Sequence, residues 1–176
     1  MSNIENLKHI LNPPLDPLET DTDWDPVENQ LGIKLPQDYK DFITSYGTGS
    51  VDSFLWIFNP FSKNQNINLF KCLETYREVF EYLDKNTSEI AIFSLFPAAR
   101  GLLPFAATDN GDVLFWLVDG DPENWSIVIN DARQDEYEKF DVSLVAFLTD
   151  ILSNKLKSDV LPVGFPTENP SFRSIC

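Results

Sequence analysis

Histidine is almost absent: His9 is the single one in 176 residues, and it stands in an N-terminal stretch rich in Asp, Pro and Asn. A Ser-His-Asp triad, a His/Cys metal cluster or a histidine base would each need that one imidazole held in a pocket by partners. Chemistry of those kinds is not expected, and His9 reads as an exposed side chain. Cysteine is nearly as scarce, and Cys72 and Cys176 are too far apart in sequence to form a Cys-x-x-Cys redox or zinc motif. With no basic start and apolar run in Met1–Leu11, both are expected to be reduced thiols of a cytoplasmic protein. Long apolar runs are missing as well; Val113–Val118 is among the longest and falls far short of a membrane span. No Gly-x-x-x-x-Gly-Lys or Gly-x-Gly-x-x-Gly run is available for phosphates, and Gly47 and Gly49 read as helix-end glycines. Asp109, Asn110 and Asp112 invite calcium, but eleven places after Asp109 stands Gly120, where an EF-hand loop needs Glu. A tight turn is the better reading, and neither a metal nor a cofactor is expected.

Basic residues are few. Thirteen Lys and Arg face twenty-eight Asp and Glu, a formal net charge of −15. Such a field repels nucleic-acid phosphates and anionic lipid heads, so neither is an expected partner. A basic protein is, because charge of this sign steers a positive surface towards it. The plainer alternative is that the charge serves only solubility.

What the chain has in quantity is apolar and aromatic residues, 43% and 13%, enough for one domain with its own core. Residues 1–23 are interrupted by Pro13, Pro14 and Pro17 and read as a loosely attached arm with a short helical piece. Asp25-Pro26 reads as a helix start, with Glu28 placed to reach back to the cap and Gly32 as the stop. Leu35-Pro36 opens a second helix whose stripe is Leu35, Tyr39, Phe42, Ile43 and Tyr46, closed by Gly47 in a left-handed cap. Val51–Phe58 reads as a strand, followed by a polar loop with Pro60, Asn64 and Asn66. Leu69–Lys85 reads as a helix with a stripe at Leu73, Tyr76, Val79, Phe80 and Leu83 and an ion pair between Glu81 and Lys85. Over 87–100 no element is assigned, though Ile90, Ile92, Leu95 and Phe96 are expected to be partly buried.

Leu103–Ala107, Val113–Val118 and Trp125–Ile129 then read as three strands of a meander. The first turn carries Asn110-Gly111, a pair that tolerates positive φ at both positions. Adjacent Phe115 and Trp116 must point to opposite faces of the sheet. Ser143 caps a last helix with Leu144, Phe147, Leu148, Ile151 and Leu152 on one face. The expected architecture is α+β, helices packed against a largely antiparallel sheet with a central β-meander, over residues 24–157, with 158–176 as an extended C-terminal tail.

Between Asp109 and Asp141 ten carboxylates face only Arg133 and Lys139. Many lie in turns that flank the meander, so they are expected to gather at one edge or end of the sheet. The candidate protein-binding residues are Asp109, Asp112, Asp119, Asp121, Glu123, Asp135 and Glu136, with Trp24 and Trp125 as candidate interface anchors. No pair of carboxylates is singled out by spacing, so no catalytic residue is assigned.

These residues also carry a family likeness. The signal begins at Trp24, Glu28, Leu31 and Gly32 and runs through Leu35-Pro36, Tyr39, Phe42 and Tyr46-Gly47. It resumes at Leu103-Pro104-Phe105-Ala106, Asp109-Asn110-Gly111-Asp112 and Trp125, and closes on Ser143, Leu144, Phe147 and Leu148. Over about residues 24–154 the chain resembles the Smi–Knr cell-wall-regulator and immunity superfamily, often called SUKH. The resemblance implies an α+β fold and no carried-over catalytic residue. It implies a protein that binds and neutralises a toxin of a polymorphic secretion system, often a nuclease, as bacterial members do. Fungal relatives act in cell-wall regulation. The expectation is therefore an immunity protein that holds its cognate toxin, or another basic protein, through an acidic surface. A regulatory or scaffolding interaction module is the alternative, and a carboxylate-based hydrolase the remote one.

Overall fold

A computed structural model describes residues 3–86, 93–134 and 136–175, with side chains of 83–86 left aside. The expected Glu81–Lys85 pair, the burial of Leu83, Ile90 and Ile92, and Asp135 and Cys176 thus lie outside the described residues. The chain forms α1 (Ile4–Ile10), α2 (Asp25–Leu31), α3 (Gln37–Tyr46), β1 (Gly49–Val51), β2 (Leu55–Ile57), α4 (Leu69–Asn86), β3 (Leu102–Thr108), β4 (Val113–Leu117), β5 (Ser126–Asn130), β6 (Tyr137–Phe140), α5 (Leu144–Leu152) and β7 (Phe172–Ser174).

The strands make one seven-stranded sheet in the order β6-β5-β4-β3-β2-β1-β7. Every neighbouring pair is antiparallel, so the α+β expectation holds. The alternation of side chains sends Leu114, Trp116, Ile127 and Ile129 into a large core with α1, α2, α3 and α5. Phe115 and Val128 point the other way, under α4, with Tyr76 and Phe80. Both faces are therefore covered, and β4 is buried along its whole length.

α3 is the best-anchored helix on the larger face. Tyr39, Phe42, Ile43 and Tyr46 are fully buried, each contributing roughly 1.5–3 kcal/mol through the apolar surface removed from water. Burying two phenols demands partners. Tyr39 Oη donates to the Phe58 carbonyl at 2.5 Å and Tyr46 Oη to the Leu11 carbonyl at 2.6 Å. The second bond helps to hold the N-terminal arm, whose Leu7 and Leu11 are fully buried. The arm is firmly docked, since two leucines at helical spacing outweigh the prolines that follow them.

Four local expectations change. The single strand over Val51–Phe58 is a hairpin, because Asp52 and Ser53 both turn at φ 52°. The Asp52 carboxylate there accepts from the N–H of Thr167 and of Ser171, at 2.9 and 2.8 Å, and so fastens the C-terminal segment. In the Asn110-Gly111 turn, Gly111 alone takes positive φ, 89°. Its N–H bonds the Thr108 carbonyl and the Thr108 N–H bonds that of Asp112, the longer loop with a left-handed glycine. The helix starts one residue earlier than expected, with Trp24 at the cap position and no side-chain cap; the Asp23 carboxylate accepts from the Asp25 N–H at 3.3 Å, and Glu28 does not reach back. Gly47 ends α3 at φ 67° and ψ −147°, outside the left-handed helical region.

Pro104 sits in β3, a central strand, where it cannot donate to the ladder. The pairing with β4 shifts register between Pro104 and Ala106, and the bulge absorbs the missing N–H. The segment after 157, expected as an extended tail, buries Val160, Leu161 and Phe165 and contributes β7 beside β1.

At Gly47 a Cβ would lie 2.2 Å from the Leu18 carbonyl oxygen, where the arm crosses the end of α3. Gly47→Ala is expected to lower unfolding free energy by about 2–4 kcal/mol. Gly120→Ala, at φ 68° in open space, is expected to cost about 1 kcal/mol. Urea denaturation of the two variants checks this; equal costs would refute the crowding at Gly47.

Candidate protein-binding surface

An antiparallel meander places successive turns at opposite ends of the sheet. The turn residues 109–112 and 131–134 share one end with the 52–54 turn, as the bonds Asp109 N–H to Phe54 O and Ala132 N–H to Asp112 Oδ1 require. The 118–125 connection and Asp141 share the other. The expectation of a single acidic cluster is thus corrected: the carboxylates divide into two groups, separated by strands of five residues, roughly 15 Å at about 3.3 Å per residue.

The 118–125 end has a pinned backbone. Asp121 accepts from the Glu123 N–H at 3.0 Å and caps a short 3₁₀ turn begun by Pro122. Trp125 donates from Nε1 to the Gly120 carbonyl at 3.3 Å. Glu123 accepts from the Gln37 N–H at 2.7 Å, tying the loop to the first turn of α3. Asp119 pairs with Arg100 Nε at 3.1 Å, and Asp141 with Lys139 and the Ser126 hydroxyl, both at 2.6 Å. All four carboxylates remain exposed. Trp125 itself is buried against Trp116, ring centres 6.1 Å apart, and serves as the root of the loop.

Beneath this loop lies Asp38, a buried carboxylate on the core face of α3. Its Oδ2 accepts from the Val145 N–H, in the first turn of α5, at 2.8 Å, while Oδ1 has no hydrogen-bond partner among the described residues. Burial is the largest influence on its pKa and raises it. The Val145 bond pulls down, the nearby Glu123 carboxylate adds to the rise, and the balance lies above the ordinary aspartate value.

At the opposite end Asp109 is exposed and accepts from Trp56 Nε1 at 2.6 Å. Glu136 is exposed. Asp112 is fully buried: it bonds the Thr108 hydroxyl at 2.8 Å and the Ala132 N–H at 3.1 Å, joining two neighbouring turns.

Trp24 is buried as well, edge-on to Tyr39 and Phe61 with ring centres 5.7 and 5.0 Å away. Next to it is an arrangement that sequence reading missed. Glu28 is buried and accepts from the Leu35 N–H at 3.0 Å, pairs with Lys34 at 2.6 Å, and contacts Lys40, whose ammonium lies over the Trp24 ring. Burial, the strongest influence, would raise its pKa, but the Leu35 N–H and the two ammonium groups together outweigh it and hold the pKa at about 2. The only sequence signal was a carboxylate on the same helix face as Val27 and Leu31, followed by Lys34 and Lys40. Among the described residues no group of three or more His, Cys, Asp or Glu could hold a metal ion.

Glu28 has a lowered folded pKa, so its contribution is complete above the ordinary value of 4.5 and is lost as pH falls from there towards about 2. Glu28→Gln is expected to cost about 2–3 kcal/mol at neutral pH. This is less than for a fully enclosed pair because Lys34 is exposed. The variant should also flatten the acid limb of the stability curve, measured by denaturation at stepped pH. Asp38 has the opposite sign: its cost grows as pH rises through the ordinary aspartate range. Asp38→Asn keeps an acceptor for Val145 and is expected to raise stability at neutral pH, with the gain vanishing in acid.

Residues 21–148 match the SUKH_6 family, described as SMI1-KNR4 cell-wall. No curated protein and no solved structure matches the chain. The matched span runs from just before α2 into α5 and takes in the Trp24–Glu28–Lys40 arrangement, the β3 bulge, the Asp112 turn and the pinned acidic loop. The chain belongs to the SUKH_6, SMI1-KNR4 cell-wall, family.

Proposed function

We propose that this protein is an immunity protein of the cytoplasm that binds and neutralises a basic toxin, a nuclease foremost, with the 118–125 loop as the principal contact. Family membership supports an immunity or regulatory role exercised through protein interaction. The observation that carries the finer reading is the pinned loop: Asp119, Asp121 and Glu123 stay exposed while their backbone is fixed to α3 and to Trp125. Carboxylates held in place before binding lose little entropy on complex formation. A net charge of −15 adds long-range attraction for a positive partner. A nuclease must present a basic surface to its own substrate, and an acidic protein that covers this surface also blocks it.

The test is calorimetric titration of the protein with the toxin encoded beside its gene, at low and at physiological salt. The double variant Asp119→Lys with Asp121→Lys is expected to weaken binding by at least about 10-fold and to reduce its salt dependence, with the circular dichroism of the folded protein retained. Asp109→Lys with Glu136→Lys, at the other end of the sheet, should leave affinity within about 3-fold. No binding to the neighbouring toxin at low salt, or equal losses from both double variants, would refute the assignment.

A further inference from the structure

Among the described residues α4 is the helix that covers the second face of the sheet, and beside its N-terminal half a cavity of about 440 Å³ opens. Its floor is β2 and β3. Trp56 stands opposite Ala107 in register, and that small methyl leaves the floor open. The half-buried rings of Trp56 and Tyr76 give it aromatic faces, with the buried Phe58 packed behind Tyr76, ring centres 6.4 Å apart. The rim is carboxamide and hydroxyl: Asn64, Gln65, Asn66 and Thr75. In a chain with twenty-eight carboxylates and thirteen basic side chains, the described residues that line this cavity include none with a charged side chain.

The rim is built in advance. The Asn59, Asn64 and Asn68 carboxamide oxygens each accept a backbone N–H two residues further on. Asn68 also donates to the Pro60 and Ser62 carbonyls, and buried Ile67 anchors the loop from inside. Some polar groups are left over. The carboxamide of Asn66 and the hydroxyl of Tyr76 take no part in the hydrogen bonds of the fold among the described residues. The thiol of Cys72 at the back is pushed up to about 12 by burial and stays neutral.

We propose that this cavity is a binding site for a neutral saccharide of one or two rings. Aromatic faces receive the apolar C–H faces of a sugar, and amide and phenol groups serve its hydroxyls. The volume suits such a ligand. With no cation in the wall and a strongly negative molecule around it, phosphorylated or carboxylated ligands are disfavoured. The site is lined by none of the residues of the 118–125 loop.

The test is a titration of the ¹⁵N-labelled protein with glucose, N-acetylglucosamine and their β-linked disaccharides, reading the Trp56 indole N–H, assigned by its loss in Trp56→Phe. Glucuronate and adenosine serve as comparison ligands. Saturable shifts of that signal with at least one neutral sugar, in the millimolar range or tighter, are expected. Tyr76→Phe, which keeps the ring, should weaken binding about 5-fold, and Asn66→Ala by a similar factor, with unchanged circular dichroism. Three outcomes would each overturn the proposal. One is a Trp56 signal that no neutral sugar moves, and another is stronger binding of adenosine or glucuronate than of every neutral sugar. The third is sugar binding that neither variant weakens.

Discussion

Helix α3 is the hinge of the whole arrangement, because its buried polar groups tie together parts of the chain that have no other reason to meet. One phenol bonds the end of β2 and the other bonds the N-terminal arm. Asp38 accepts from the first turn of α5, and the Gln37 N–H donates to Glu123 of the acidic loop. At its far end the helix stops on a glycine against which the arm lies in backbone contact. The bonds of Tyr39, Tyr46 and Asp38 are buried, where a lost partner costs more than a surface bond returns. The acidic loop and the cores beneath it are thereby held by one element.

The charge on the molecule is arranged by topology. Turn residues that are close in sequence are sent to alternate ends of an antiparallel sheet, which halves the density that a single cluster would have had. Self-repulsion falls accordingly, and the fold tolerates a large net charge. Within each end the carboxylates are divided between two duties. Asp112 and Glu28 are withdrawn into the protein and spent on turns and on the α2–α3 junction. Asp119, Asp121, Glu123 and Asp109 remain at the surface with their positions fixed by single contacts. Rigid exposed charge of this kind suits recognition of a complementary surface.

The two faces of the sheet differ in character. One is closed by four helices and the C-terminal segment, and packs aromatic rings in continuous contact. The other has, among the described residues, a single helix, too narrow to cover strands β2 to β5, and much of the remainder is bridged by an asparagine-rich loop folded on its own amides. Loop and helix leave between them an uncharged cavity in a highly charged molecule. The contrast follows from the number of covering elements, since one helix of about 10 Å diameter spans roughly two strands at 4.8 Å spacing.

Local pattern was enough to determine much of this protein. The stripe on α3, the capped α5, the meander of β3 to β5 and the opposed faces of Phe115 and Trp116 all follow from side-chain periodicity, which depends on backbone geometry and not on partners. The residues that carry the family likeness were legible for the same reason. Tertiary structure decided what periodicity cannot encode: that Val51–Phe58 folds back on itself, that the arm and the tail are bound to the domain, and that Trp24 and Trp125 are buried. It also decided which carboxylates serve the fold and which stay exposed. A carboxylate's role depends on the groups that converge on it from distant parts of the chain, as Leu35, Lys34 and Lys40 do on Glu28 and as Val145 does on Asp38. Those meetings exist only once the sheet has set the directions of its turns.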